Sequence, residues 1–152
     1  MNNLCFFRSH LFKYEIYKFV FSLYNNWIEK NKYDFLVAGK VLHIENTLKI
    51  AKILDYNDDL LYLCMLFHDI GRIKQFEKIK SFDDKIISHQ ELGAIYFDEL
   101  KNLINLSDEE KDIIRNVILY HGLMDKIETF PNNDLSRKYL ELVTIIDRIE
   151  SQ

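Results

Sequence analysis

Glycine and proline are scarce, with four and one among 152 residues. Those two residues supply most tight turns, so their rarity excludes a many-turned β-sandwich and favours long helices. Cysteine is nearly missing as well. Cys5 and Cys64 make no disulfide framework, and they suit a reducing cytoplasm. Cys64 lies in an apolar helical run and reads as a small core residue rather than a nucleophile. No apolar stretch approaches the ~20 residues that span a bilayer, so no membrane partner is expected. The opening MNNLCFFRSH has neither the basic and apolar regions nor the cleavage site of an export signal. Positive charge is not in excess either. A net charge of −4 argues against a dedicated DNA-binding module.

What remains is an ordinary globular balance, 48% hydrophobic and 29% charged, in a chain long enough for one domain with one core. Helical periodicity predicts six helices and no strand, an all-α domain. The first covers 9–30, with Ser9 as its cap and a stripe of Leu11, Phe12, Ile16, Phe19, Val20, Leu23 and Trp27. That stripe suits core packing, with a homodimer surface as the alternative. The second covers 35–54. The third covers 58–69, capped by Asn57 or Asp58, with Gly71 placed to end it in a left-handed turn. After a polar loop, Ser88-His-Gln-Glu91 and Ser107-Asp-Glu-Glu110 are capping-box patterns. They open helices over 89–102 and up to His121. Beyond a loop with Pro131, a last helix starts near 134.

Ionisable residues interrupt the apolar faces. His68 shares a face with Leu61, Cys64 and Met65, and Asp69 follows at the helix end. His121 lies one turn beyond Val117, and Asp147 stacks over Val143 and Leu140. A buried carboxylate without a partner is costly, and no lysine or arginine occupies a matching inward position. Asp69 also sits at the negative end of a helix dipole, where a cation would reverse the sign. His89 opens a helix, where the dipole favours the neutral imidazole that binds metal, and Gly93 leaves space above its ring. Imidazoles and carboxylates without thiolates suit divalent Mn, Fe, Zn or Co better than Ca. Each residue alone reads as a hydrogen-bonded core group or a solvated acid. The set His43, His68-Asp69, His89, His121 and Asp147, spread over five helices, points to metal. His10 stands apart and reads as surface.

In this ordered set the sequence resembles the HD-domain superfamily of metal-dependent phosphohydrolases, whose signature of His, His-Asp and a distant Asp is met by His43, His68-Asp69 and Asp147. The stretch FHDIGRIKQFEKIKSFDDKIISHQELGA resembles a bacterial subgroup with an HDIGR motif, and the likeness covers roughly 38–149. The resemblance implies a first metal on His43, His68, Asp69 and Asp147. A second would sit on Asp69, His89 and His121, and binding of substrate phosphate is the alternative role for the two later histidines. One or two divalent transition metal ions are therefore expected. The chain ends at Gln152, five residues past Asp147, as in a short or truncated member.

The implied activity is hydrolysis of a small phosphate ester, a nucleotide above all, by a metal-activated water. Asp69, His68 and Arg72 would be catalytic, and Arg72 would also contact phosphate with Lys74 and Gln75 beside it. Lys78, Lys80 and Lys85 join Lys74 in one basic loop, a positive rim if they face the site and a solvated loop otherwise. The GYP motif of cyclic-di-GMP phosphodiesterases and the acidic arrangement of alarmone hydrolases are both missing. A metal-dependent single-strand nuclease is one alternative, although it needs a long basic groove. A non-catalytic nucleotide-binding or signalling domain is the other. No long nucleic acid partner is expected.

Overall fold

The computed structural model describes residues 3–54, 57–123 and 133–151, with side chains described from residue 14 onward. Ser9, His10 and Cys5 lie outside the described side chains, and the loop around Pro131 lies outside the described residues. All six expected helices are present. They are α1 (Asn3–Lys30), α2 (Phe35–Ile53), α3 (Asp59–His68), α5 (His89–Leu100), α6 (Asp108–Tyr120) and α7 (Asp134–Ser151), with a 3₁₀ turn, Lys101–Leu103, after α5. The first starts at Asn3, six residues before its expected cap, Ser9.

The expected polar loop after Gly71 is instead α4, Gly71–Ile79. Ile73 and Phe76 are buried one turn apart and anchor it, so packing overrides a lysine-rich composition. No strand occurs among the described residues, and none of their helices is long and apolar enough to cross a membrane.

Caps define several of these ends. Asp58, not Asn57, caps α3 by accepting the Leu60 and Leu61 N–H groups, and Asp34 does the same for Leu36 and Val37 at α2. Ser107 and Glu110 form a reciprocal capping box at α6. At α5 Ser88 accepts the Glu91 N–H, while the His89 N–H goes to Asp84. Only half of that expected box forms.

The core is arranged around α3. Every residue from Leu60 to His68 except Tyr62 is buried, as expected of a helix packed on all sides. It touches α1, α2, α6 and α7. Its last turn leaves carbonyls without helical partners, and Tyr24 of α1 donates its hydroxyl to the Leu66 carbonyl at 2.9 Å. The C-terminal end of α3 is thereby pinned where Asp69 emerges. On the other side of that end, α4 packs against α5, and an Arg115–Asp98 pair of bonds at 2.9 and 3.0 Å ties α6 to α5.

Gly71 is not in a left-handed turn. Among the described residues positive φ occurs only at Lys80 (53°) and Gly122 (76°). Gly71 is needed for close approach. A Cβ there would lie 1.9 Å from the His89 carbonyl oxygen and 2.6 Å from the Gly93 nitrogen. Gly93 faces it, and a Cβ on Gly93 would meet Ile118 at 2.7 Å. Gly93 therefore serves the crossing of α4, α5 and α6, not the space over the His89 ring.

The expected consequence is that Gly71→Ala loses about 3 kcal/mol, the upper end of overpacking effects, because the clash is with backbone. Gly39→Ala, where a Cβ meets nothing within 4 Å, should be neutral or stabilise by up to ~1 kcal/mol. Urea denaturation of both variants checks this, and equal midpoints would refute the close-packing role.

Candidate metal centre

Four helices and the end of α3 bring six side chains to one place. His43 comes from α2 and His68 and Asp69 from the end of α3. His89 is the first residue of α5, His121 caps α6, and Asp147 projects from α7. Their Nε2 and carboxylate atoms converge. Asp69 Oδ2 lies 3.5 Å from His43 Nε2 and 3.7 Å from His68 Nε2. Its other oxygen, Oδ1, lies 3.1 Å from His89 Nε2 and 3.0 Å from His121 Nε2. Asp147 Oδ1 approaches His43 at 2.8 Å and His68 at 3.4 Å. One carboxylate thus faces two separate donor groups, His43–His68–Asp69 and Asp69–His89–His121, each compact enough to hold a metal ion.

The outward ring nitrogens settle which atoms point inward. His43 Nδ1 bonds to Glu150 Oε2, and His68 Nδ1 to the Met65 carbonyl at 2.5 Å. His89 Nδ1 bonds to Asp84 Oδ1 at 2.7 Å, and His121 Nδ1 to the Ile118 carbonyl at 2.9 Å. None of these oxygens has a proton to give, so each Nδ1 donates, and every neutral ring turns a bare Nε2 lone pair to the centre. His89 and His121 then oppose lone pairs 3.0 Å apart, beside a carboxylate oxygen. His68 Nε2 is fully buried with no hydrogen-bond partner. Such an array is repulsive unless positive charge lies within it, and outward carboxylate or carbonyl partners are the usual way to orient metal-binding histidines. The donor set fits divalent transition metal ions.

When no metal is present, protons supply that charge. Burial opposes a charged imidazole at His43 and His68, but Asp147 raises the first, and Asp69 and Asp147 lift His68 to about 9. At His89 burial is again outweighed, here by Asp69 and Asp84. The carboxylates therefore override the helix-dipole preference for a neutral ring. At His121 burial dominates and the pKa falls. Asp69 is 7% exposed. Burial would raise its pKa, yet His68, His121 and His89 hold it well below the carboxylate range. Asp147 is held low by His43 and His68 in the same way.

The remaining sequence candidates divide. Arg72 lines the same cleft, with Nη1 bonded to Gln75 (2.9 Å), the Phe82 carbonyl (3.1 Å) and Asp84 (3.3 Å). Gln75 is fully buried and bonds to Asp84 and the Ile87 carbonyl, so it braces Asp84 instead of facing the cleft. Lys74 sits over the Tyr96 ring, 4.5 Å away, in a separate groove with Lys78 and Glu77. Lys80 lies over Phe76. Of the two alternatives for this stretch, a positive rim or a solvated loop, the structure favours the second, since none of Lys74, Lys78, Lys80 and Lys85 lines the cleft. Sequence reasoning missed Lys40, Asp84 and Glu150. Glu150 had a weak signal, since it follows Asp147 by one helical turn.

The proton inventory has a definite sign. His68, at about 9 in the folded metal-free chain against ~6.5 unfolded, stabilises fully below pH ~6.5, and this is lost as pH rises through its folded value. Metal needs the neutral ring, so filling the His43–His68–Asp69 group at pH 7 should expel about one proton from His68. Calorimetric titration of metal-free protein with Mn²⁺, in two buffers of different ionisation enthalpy, should give different apparent heats. Identical heats would place the ion on groups that carry no proton at pH 7.

Comparison with known proteins agrees with this geometry. Residues 41–151 match the HD domain. Two relatives are described as 3'-5' exoribonuclease YhaM. The one from Oceanobacillus iheyensis is 27% identical over 128 residues, and the one from Halalkalibacterium halodurans is 25% identical over 131 residues. The matches cover 78% and 80% of this chain but only 40% of each relative. No solved structure gives a significant match. The family match spans the region from α2 to α7 that carries all six convergent side chains, and the chain belongs to the HD domain family.

Proposed function

We propose that this chain is a metal-dependent phosphohydrolase acting on a small phosphate ester, a nucleotide above all. The observation that carries the reading is the inward array of four imidazole Nε2 atoms and two carboxylates at the floor of an open cleft. Divalent ions, when bound there, acidify a water and neutralise charge on phosphoryl oxygens. His43, His68, Asp69 and Asp147 would hold one ion, and Asp69, His89 and His121 the other.

The chain's own groups then have separable tasks. Asp69, with one oxygen facing each group of histidines, would serve both positions. Asp84 and Glu150 keep His89 and His43 in the tautomer that offers Nε2. Arg72, held rigidly by three acceptors, adds fixed positive charge on the cleft wall. Gln90 and Ser151 supply polar groups elsewhere on its lining. The cleft, about 300 Å³, accommodates one phosphorylated unit.

A second reading is 3'-5' exonucleolytic cleavage of RNA, favoured by the exoribonuclease activity for which the two relatives are named. It requires a surface that tracks a strand. Lys74 and Lys78 lie in a separate groove with Glu77 and Glu99, and the net charge is −4. This distribution favours the small ester, since strand binding draws on many phosphate contacts.

Turnover of mono-, di- and triphosphate nucleotides, measured with Mn²⁺ beside single-stranded RNA and DNA, tests the choice. At least one nucleotide should be hydrolysed faster than the polymers, and chelation should abolish it. Cleavage of RNA with no nucleotide turned over would overturn the small-ester reading in favour of an exonuclease.

A further inference from the structure

Among the described residues two side-chain cations, Lys40 and Arg72, line the cleft, and they are in different situations. Arg72 Nη1 already has three oxygen acceptors within 3.3 Å. Lys40 has no ion pair or hydrogen bond among the described residues. Its ammonium rests 5.1 Å from the centre of the Phe82 ring, the same ring that carries the Arg72 guanidinium at 5.9 Å. Phe82 is itself fixed by stacking on Phe76 and by an edge contact with Trp27. Lys40 is thus a half-buried cation held in place by an aromatic face and lacking an anion.

Position gives that lack a meaning. Lys40 precedes His43 by three residues on α2, so its stem and the His43 ring share one helix face. Burial and the Arg72 charge lower its pKa, while Asp69, Asp84 and Asp147 act in the opposite direction from across the cleft. Of these carboxylates, Asp84 is spent on His89, Arg72 and Gln75. Asp69 and Asp147 belong to the metal-binding set. Once cations occupy that set, no free carboxylate among the described residues faces Lys40, and an ammonium partly withdrawn from water is left seeking a counter-charge.

We infer that Lys40 is a substrate-binding residue that receives a phosphoryl oxygen of the substrate, with Phe82 as the positioning residue that aims its ammonium into the cleft. The ligand class is a phosphate mono- or dianion held between the metal centre and the Lys40 side of the cleft. Arg72 spends Nη1 on three oxygens and has its Nε buried without a partner, whereas the Lys40 ammonium lines the cleft with no oxygen partner among the described residues. This inference rests on the phosphohydrolase reading.

The test uses the full chain loaded with Mn²⁺ and freed of excess metal, with inorganic phosphate as the probe. Calorimetric titration should show phosphate binding to the wild type, weakened roughly tenfold or more by Lys40→Ala, as befits a lost charge-assisted contact. Lys40→Arg should recover part of it. Mn²⁺ content should be the same in all three proteins, and Lys78→Ala, outside the cleft, should bind phosphate normally. For any ester turned over, Lys40→Ala should raise KM more than it lowers kcat. Wild-type affinity in Lys40→Ala would overturn the assignment, as would failure of the wild type to bind phosphate. Lys40-dependent phosphate binding with no ester hydrolysed would overturn the hydrolase reading instead and leave the phosphate site standing.

Discussion

A buried carboxylate with its two oxygens facing two different groups of histidines is the constraint around which this molecule is organised. Placing Asp69 at the end of the most deeply buried helix is unfavourable taken alone. The site removes it from water, and the preceding helix dipole presents negative charge to it. The cost is offset because four imidazoles reach it from four helices. With protons or metal ions between them, the same groups that would repel one another become a cohesive cluster. Stability of the cleft floor and readiness to bind cations are therefore two aspects of one electrostatic arrangement.

The rest of the fold supplies the precision that such an arrangement needs. His89 reaches Asp69 only because α5 passes α4 with backbone against backbone at Gly71 and Gly93. His121 reaches it because α6 ends there, with its ring donating to the Ile118 carbonyl of its own last turn. His43 and Asp147 meet across α2 and α7, and Glu150 fixes the His43 ring from behind. Asp84 performs the corresponding service for His89 and is held in turn by Arg72 and Gln75. The outer partners are polar side chains that would each be weak surface interactions alone. Around a buried centre they decide which ring nitrogen carries the proton.

Much of this was legible in the sequence, for reasons that can be named. His68, Asp69, His121 and Asp147 stood out because polar groups on apolar faces violate helical patterning, His89 because it opens a helix, and His43 through the family signature, while caps such as Asp58 and Ser107 announced their helices. What escaped was whatever depended on partners distant in the chain. The helix α4 was hidden because Gly71 resembles a terminator and its lysines resemble a loop, while Ile73 and Phe76 acquire their meaning only against α5 and the Trp27–Phe82 aromatic group. Gln75 read as a substrate contact and is a buried brace for Asp84. Lys40 carried no signal in the sequence and acquires a role only where α2 lies beside Phe82, and Glu150, one helical turn past Asp147, shows its partner only where α7 lies against α2.

The central claim is that Asp69 joins two cation positions. Anomalous scattering from crystals of the protein grown with Mn²⁺ and recorded at the manganese edge tests it directly. Two peaks are predicted per chain, one against Asp69 Oδ2 with His43, His68 and Asp147, the other against Oδ1 with His89 and His121. A single peak that leaves one Asp69 oxygen unligated, or peaks remote from this carboxylate, would contradict the account.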